Sequence, residues 1–145
     1  MTLLLDDQLL GVVLREDALP APLGSDPTIA TTGYWYVRLC QAVLRVADRP
    51  GTLSGPFMAL PGGRREQALA AALELPAEIG LVSLRELGPV TGRLRARHQL
   101  NILSVEALAA ALYLNATVAL SVSSPRLEDA LRTEGVSFHI VDSMP

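Results

Sequence analysis

Short runs of apolar and β-branched residues recur along the chain, separated from one another by longer stretches with helical character. Leu3–Leu5 is the first such run, and it ends at two acidic residues. Runs of this length, bounded by polar or turn residues, are typical of buried strands. The sequence therefore predicts strands over residues 3–5, 79–82, 117–122 and 136–141.

Capping residues mark the beginnings of the stretches between these runs. Thr31 or Thr32 is placed to cap one helix, and Ser83 with Glu86 three residues later forms a capping box for another. Ser104 is a further cap, at the start of an Ala- and Leu-rich stretch. Together with the periodicity, these signals predict helices over residues 8–14, 34–47, 65–75, 84–98, 105–114 and 126–133.

Strands that alternate with helices are typical of an α/β fold with a mostly parallel sheet and helices on both faces. Residues 20–27 and 52–63 are rich in Pro and Gly, and we interpret them as a loop and an irregular excursion. Neither segment has the composition of a linker between domains. A chain of 145 residues is also of the size of one domain, so we expect a single domain over residues 1–145.

Half of the residues are hydrophobic, and the mean hydropathy is +0.32. We therefore expect some apolar surface to be covered by a partner or by a second copy. No apolar run reaches the roughly 18 residues that a membrane span needs, and Met1–Leu5 lacks the basic segment of a signal peptide. The expectation is a cytoplasmic protein without a membrane segment. Cys40 is the single cysteine, so an intramolecular disulfide framework is excluded.

The net charge of −3 gives no overall indication of nucleic-acid binding. All twelve basic residues are Arg, whose forked donors suit phosphate groups where several converge. One basic cluster lies near the end of a predicted helix, where it is either a solvated face or a contact for a phosphate backbone. A second follows two glycines, and an aromatic group could stack on bases or belong to the core. The cluster at the helix end is Arg93, Arg95, Arg97 and His98. The cluster with two glycines is Gly62–Arg65, and the aromatic group is Tyr34–Tyr36.

In an open parallel sheet, functional residues gather at the carboxyl ends of the strands. Asp6 and Asp7 follow the first predicted strand, while Ser123 and Ser124 follow a later one. Glu106 lies near the start of a predicted helix, and Asp6 with Glu106 would be a minimal carboxylate pair for a magnesium ion. Each residue also has an ordinary explanation as a turn, a cap or a partner of the helix dipole.

Four stretches resemble the PIN-domain family, in the order in which the family has them. Residues 3–10 resemble its first strand with the following Asp, and residues 103–111 resemble its later helix start. Residues 118–127 resemble the strand that ends in Thr-x-Asp, with Val122 at the Thr and Ser124 at the Asp. Glu134–Val136 resembles the turn into the last strand. The chain is thus similar to PIN-like domains of the kind found in VapC-type toxins.

The resemblance implies a three-layer, Rossmann-like sandwich with Leu3–Leu5 in its central strand and Val136–Val141 at an edge. It also implies a Mg²⁺ or Mn²⁺ site of about three or four carboxylates, at which metal-activated water cuts RNA. Asp6 is retained at this site, and Asp7 is a candidate helper. Glu106 stands where the family has an Asp.

Two positions depart further from the family pattern. Ser124 stands where the family has its last acid and supplies no charge. The helix predicted over residues 34–47 contains no acid and instead carries Arg38, which could pair with Asp6 or point to solvent. Asp142, after the last strand, is a further candidate ligand.

Three functions follow from this pattern. The first is a PIN-like domain with a degraded, weakly metal-binding site that binds RNA or a protein partner, such as an antitoxin-like protein, without cutting. The second is an active magnesium-dependent endoribonuclease of the toxin–antitoxin type that uses Asp6 and Glu106. The third is a non-catalytic interaction module that forms a homodimer. The departures from the family pattern favour the first, with weak or lost cleavage.

Overall fold

Five parallel strands form one sheet in the computed structural model, which describes residues 1–20, 23, 26–45 and 51–141. The order across the sheet is β3-β2-β1-β4-β5, and every neighbouring pair is parallel. The predicted α/β class and mostly parallel sheet are confirmed. The strands are β1 Thr2–Leu5, β2 Thr28–Thr31, β3 Gly80–Leu81, β4 Thr117–Leu120 and β5 Phe138–Ile140.

Seven helices are described, and they flank the sheet. They are α1 Asp7–Leu14, α2 Gly33–Leu44, α3 Gly55–Met58, α4 Gly62–Leu73, α5 Leu84–Arg97, α6 Ile102–Leu114 and α7 Pro125–Thr133. Helix α2 begins after Thr32, whose side chain accepts a hydrogen bond from the Trp35 amide, and Ser83 caps α5 in the same way through Arg85. Among the described residues, no helix is both long enough and apolar enough to cross a membrane.

Strand β1 is central and β5 lies at an edge, as predicted. The side chains of Leu3, Leu4 and Leu5 in β1 are fully buried, and successive side chains alternate between the two faces of the sheet. Leu4 packs in one core cluster with Leu108 of α6, whereas Leu3 and Leu5 pack in another with Leu9 of α1. This alternation explains why helices cover both faces.

Strand β2 was not predicted from the sequence, which indicated only a loop and a cap around it. It forms because its backbone pairs with β1, with Thr2 opposite Thr28. The Thr31 hydroxyl also donates a 2.9 Å hydrogen bond to the carbonyl of Leu5. Four residues between Pro27 and a helix cap are too few to show a strand period, so tertiary pairing decides this element.

The start of α6 also differs from the prediction. Asn101, and not Ser104, is its capping residue, because the Asn101 side chain accepts a 2.8 Å hydrogen bond from the Ser104 amide. The helix therefore begins three residues earlier than expected, and Glu106 lies in its second turn. Helix α2 ends at Leu44, and the rest of the stretch predicted to residue 47 reaches beyond the described residues. The segment expected to be irregular contains α3 and the beginning of α4.

Candidate functional site

A crevice opens where β1 and β4 lie side by side at their carboxyl ends. The chain leaves β1 toward β2 on one side of the sheet and returns to β4 on the other, which is the topological position where α/β sheets bind ligands. A cavity of about 240 Å³ lies there. It is lined by Asp6, Asp7, Gln8, Trp35, Arg38, Leu103, Ser104, Leu120, Ser121, Val122, Ser123, Ser124 and Leu127. A larger cavity of about 450 Å³ lies near the start of β2 and is mostly apolar, so the strand-end cavity is the better candidate.

Asp6 has both carboxylate oxygens engaged in hydrogen bonds. One oxygen accepts a 3.0 Å bond from the Leu9 amide and so caps α1. The other accepts bonds from the amide and the hydroxyl of Ser121, at 2.7 and 2.6 Å. The side chain is almost fully buried. Asp6 therefore ties the end of β1 to the end of β4, and these three donors stabilise its negative charge.

Ser121 was missed by the sequence analysis, which aligned Val122 and Ser124 with the family's Thr-x-Asp. The structure places Ser121 on Asp6, whereas the Val122 side chain is 61% exposed. The pairing of β1 with β4 explains the contact between Asp6 and Ser121. Leu5 lies opposite Ala119, so the residues that follow the two strands lie close together. A register of this kind is tertiary information and is not contained in either strand alone.

Ser124 lines the cavity, and its backbone amide is bonded to Glu128, which the sequence did not indicate as a site residue. Its amide donates a 2.6 Å hydrogen bond to Glu128, and the Ser123 hydroxyl donates a 2.8 Å bond to the same carboxylate oxygen. Glu128 lies in the first turn of α7 and is largely buried. An acid at this place stabilises the positive end of a helix, so Glu128 organises the loop after β4.

Asp7 and Arg38 form an ion pair on the wall of the cavity. The Nε atom of Arg38 is 3.3 Å from Oδ2 of Asp7, whose other oxygen accepts a bond from the Gln8 amide. Burial raises the pKa of Asp7, repulsion from Asp6 raises it further, and Arg38 partly opposes both. The hypothesis that Arg38 pairs with Asp6 is therefore replaced, because the structure shows Asp7 as its partner.

Glu106 is buried and holds the beginning of α2. One carboxylate oxygen accepts a 2.9 Å hydrogen bond from the Tyr34 amide. The other lies 3.1 Å from the position that a Cβ atom on Gly33 would occupy. Glu106 is not among the described residues that line the strand-end cavity.

The residues of the cavity do not fit a magnesium or manganese ion. Two acids line it, and the positive charge of Arg38 lies against one of them. Within the described ranges, no three His, Cys, Asp or Glu side chains are grouped in a way that could hold a metal. Magnesium needs several oxygen ligands in near-octahedral arrangement, and a guanidinium beside them opposes its charge. Asp142 lies outside the described residues.

The other candidate groups are largely used in local structure. Trp35 is buried in the core, as its helical spacing indicated. Arg97 and His98 both contact Glu134, and the hydrogen bond from His98 is the main reason that the pKa of Glu134 is lowered. In the second basic cluster, Arg64 donates to the carbonyl of Arg15 and Arg65 donates to that of Leu60. Arg93 and Arg95 are exposed.

Comparisons with known proteins give a distant structural likeness. No protein-family model matches the sequence, and no curated protein matches it either. A solved structure described as VapBC-1 from nontypeable Haemophilus influenzae, at 2.2 Å resolution, is similar to this chain with a TM-score of 0.47 and 14% sequence identity. The likeness covers 97% of this chain and 98% of that one. Its distance is such that it assigns no activity and no residue role to this chain.

Proposed function

We propose that this chain is a PIN-like domain with a degraded metal site, which binds RNA or a protein partner and does not cut RNA. The observation that carries the proposal is the ion pair between Arg38 and Asp7 inside the strand-end cavity. The ordered resemblance of four sequence stretches to PIN domains supports the family part of the proposal. The ion pair supports the loss of metal chemistry, because a fixed cation already offsets one of the two acids there.

The charges around the cavity favour binding over hydrolysis. Metal-activated water requires carboxylates whose oxygens are available to the ion. Both oxygens of Asp6 accept protein hydrogen bonds, and one oxygen of Glu106 accepts a bond from the first turn of α2. Asp6 and Glu106 therefore act as structural acceptors here.

RNA is the ligand that we test first, because Arg38 suits an anionic oxygen. Its Nε atom lies 3.3 Å from Oδ2 of Asp7, and the side chain is 53% exposed. The terminal nitrogens of the guanidinium form a planar fork that matches phosphate. The rim also carries the hydroxyl of Ser124, which can donate to the same group.

The binding experiment uses a labelled single-stranded RNA, with fluorescence anisotropy measured at low and high salt. We expect binding that weakens as salt rises, because phosphate contacts release counterions. Binding should not require Mg²⁺ and should persist in EDTA. Arg38→Gln should weaken it by about tenfold, the cost of a lost charged contact of ~1.4 kcal/mol. Arg45→Gln, at the C-terminal end of the same helix, is the control and should change it by less than about threefold.

A cleavage experiment separates this proposal from the active ribonuclease. Several RNAs are incubated with Mg²⁺ and with Mn²⁺, beside an Asp6→Asn variant purified in the same way. We expect no metal-dependent cleavage by either protein. Cleavage by the parent that disappears in Asp6→Asn would refute the proposal and establish the ribonuclease. If RNA neither binds nor is cut, the RNA part of the proposal fails, and co-purification with an antitoxin-like chain tests the protein-partner part.

A further inference from the structure

We infer that the cavity at the amino ends of β2 and β3 is a second binding site, and that its ligand is a small primary ammonium with an apolar body. The volume of this amino-end cavity is about 450 Å³, which is in the range of small-molecule pockets. Thr28 begins β2 and Ile79 precedes β3, so the cavity lies at the opposite strand ends from the strand-end cavity. The inference goes beyond the proposed function and does not rest on it.

Most of the lining of the amino-end cavity is apolar. Val13 and Leu14 come from the end of α1, and Ala71 comes from α4. Ile29 of β2 and the buried Ile79 complete the apolar part. An apolar body that packs against these side chains leaves water, which stabilises the complex in proportion to the area buried.

The same cavity carries negative charge that the fold leaves uncompensated. Glu16 and Glu78 line it, and no basic side chain is among the described residues that do so. Both acids are exposed, and within the part of the chain that the structure describes neither carboxylate forms an ion pair or accepts a hydrogen bond. Arg15 and Arg64 instead contact Asp17, at 3.3 and 3.9 Å. Charge complementarity therefore selects a cationic ligand.

The backbone at Glu16 supports a role for its side chain. Its φ of 61° is a left-handed conformation that glycine adopts without strain and that a Cβ atom disfavours. Glycine is the residue that usually occupies this position at the end of a helix. Here a glutamate occupies it despite the strain, and its carboxylate lines the cavity. Strained backbone of this kind is found at ligand-binding positions.

The polar groups of the cavity match a primary ammonium. Such a group has three N–H donors. Glu16, Glu78 and the hydroxyl of Thr28 offer one acceptor group for each, and the Thr28 side chain has no partner among the described residues. A quaternary ammonium has no N–H to donate. A polyamine would place a second charge against apolar side chains, which is costly. The ligand class is therefore a monoamine with an apolar body.

The test uses phenylpropylamine as the probe and phenylpropanol as its neutral counterpart. Binding is followed by amide chemical shifts at neutral pH, where the amine is a cation. We expect saturable shifts at Ile29 and Ile79 and none at Ser121 in the strand-end cavity. The amine should bind about tenfold more tightly than the alcohol, because two carboxylates attract it. Equal affinities, no saturable binding, or shifts confined to the strand-end cavity would overturn the inference.

Charge-removal variants test the two acids. Glu16→Gln and Glu78→Gln should each weaken amine binding by about threefold and leave alcohol binding unchanged, and the double variant should bind both probes equally. Glu66→Gln is the matched control, since it removes an exposed carboxylate of α4 outside the cavity. It should change the affinity little, because salt screens distant charges. If Glu66→Gln weakens binding as much as the cavity variants do, the amine responds only to net charge and the inference fails.

A filled cavity tests the apolar part of the site. Ala71→Leu enlarges a partly buried side chain of the lining, so it should weaken both probes by about tenfold or more. Unchanged amine binding would contradict the inference, because the ligand would then lie on surface carboxylates alone. Circular dichroism checks that the variant is folded, and Ala71→Val replaces it if it is not.

The outcome is independent of RNA binding. Amine binding by a parent protein that binds no RNA would support this inference and remove the RNA part of the proposed function. RNA binding without amine binding would do the reverse. The two failures are therefore distinguishable.

Discussion

At the scale of single residues, three buried acids near the strand ends have three different environments. Asp6 accepts hydrogen bonds from α1 and from Ser121, and Glu106 accepts one from the beginning of α2. Asp7 has one bond from the adjacent Gln8 amide and an ion pair with Arg38. Backbone amides stabilise a buried carboxylate without long side chains to order, whereas the half-exposed Arg38 is screened by water. Asp7 is consequently the acid whose charge is least well compensated.

Asp7→Asn should therefore stabilise the protein at neutral pH. Because folding raises the pKa of this carboxyl group, its ionised form costs stability, and the cost develops as pH rises from near 3.8. We expect Tm at pH 7 to rise by a few degrees. The gain should vanish below the unfolded-state pKa, where Asp7 is protonated in both states.

The measurement is thermal unfolding followed by circular dichroism between pH 3 and pH 8. Asp26→Asn is the control, since it removes an exposed carboxylate and should leave the pH profile unchanged. A stabilisation by Asp7→Asn that is equally large at low pH would show that packing, and not charge, causes it. A loss of Tm at pH 7 would show that the ion pair outweighs the burial of the charge.

At the scale of secondary-structure elements, helix ends are where local sequence and tertiary contacts meet. Helix α2 begins with Thr32 as its cap, with the carboxylate of Glu106 lying against Gly33. Helix α1 ends in a Schellman motif, with the Glu16 amide bonded to the Val13 carbonyl and the Asp17 amide bonded to that of Val12. The beginning of α2 therefore depends on an acid that is distant in sequence, whereas the end of α1 depends on the conformation of its own backbone.

Gly33→Ala should destabilise the protein. The new Cβ would lie 3.1 Å from the Glu106 carboxylate, so the acid that binds the Tyr34 amide must move. We expect a loss of about 1–2 kcal/mol in the free energy of unfolding, the cost of a disturbed buried charged hydrogen bond. Urea denaturation measures it.

Gly92→Ala in α5 is the matched control for that substitution. A Cβ at Gly92 meets nothing within 4 Å, and the residue lies within the helix. Alanine should therefore stabilise α5 by roughly 0.5–1 kcal/mol, because Gly has the higher conformational entropy in the unfolded chain. If Gly33→Ala stabilises the protein as much as Gly92→Ala does, the close approach of Glu106 to Gly33 has no energetic effect.

Glu16→Gly should stabilise the end of α1. Glu16 has a φ of 61°, a left-handed conformation that disfavours residues with a Cβ atom. Glycine adopts it without strain, so we expect a gain of about 1 kcal/mol in urea denaturation. Glu16→Gln is the control, since it removes the charge but keeps the strain, and it should give little gain. Equal gains from both variants would assign the effect to charge.

At the scale of the whole molecule, the sheet and its two helical layers bury most large apolar side chains, but several remain exposed. Among the described residues these include Leu44, Leu84 and Val122, each with at least 60% of its surface accessible. Exposed apolar groups in this number are consistent with a covered surface in solution.

We predict that the protein is a homodimer in solution. The reason is the high apolar fraction of the sequence together with the apolar side chains that the single chain leaves exposed. Light scattering coupled to size exclusion should give about twice the mass of 15.5 kDa across micromolar concentrations. The same measurement at high salt is the control, because an apolar interface should persist when charges are screened. A monomer mass at every concentration would contradict the prediction.

Elements whose signals are local can be recognised from the amino-acid sequence. The apolar run before Asp6, the capping residues Thr32 and Ser83, and the alternation of strands with helices predicted the α/β class and most helices. They also placed Asp6 and Asp7 at a strand end, and they showed that α2 carries Arg38 and no acid. Periodicity and capping depend on neighbours within a few residues, so they are readable from the chain alone.

The contacts that define the site depend on how distant segments pack together. The hydrogen bonds of Asp6 to Ser121 and of Glu106 to Tyr34 join residues 115 and 72 positions apart. Strand β2 likewise exists through its pairing with β1. Sheet register and helix packing set these distances, and no local pattern encodes them. The pairing of Arg38 with Asp7 also depends on tertiary contacts. Asp6 and Asp7 are equivalent in the sequence, but the fold supplies Asp6 with hydrogen-bond donors and leaves Asp7 to pair with Arg38.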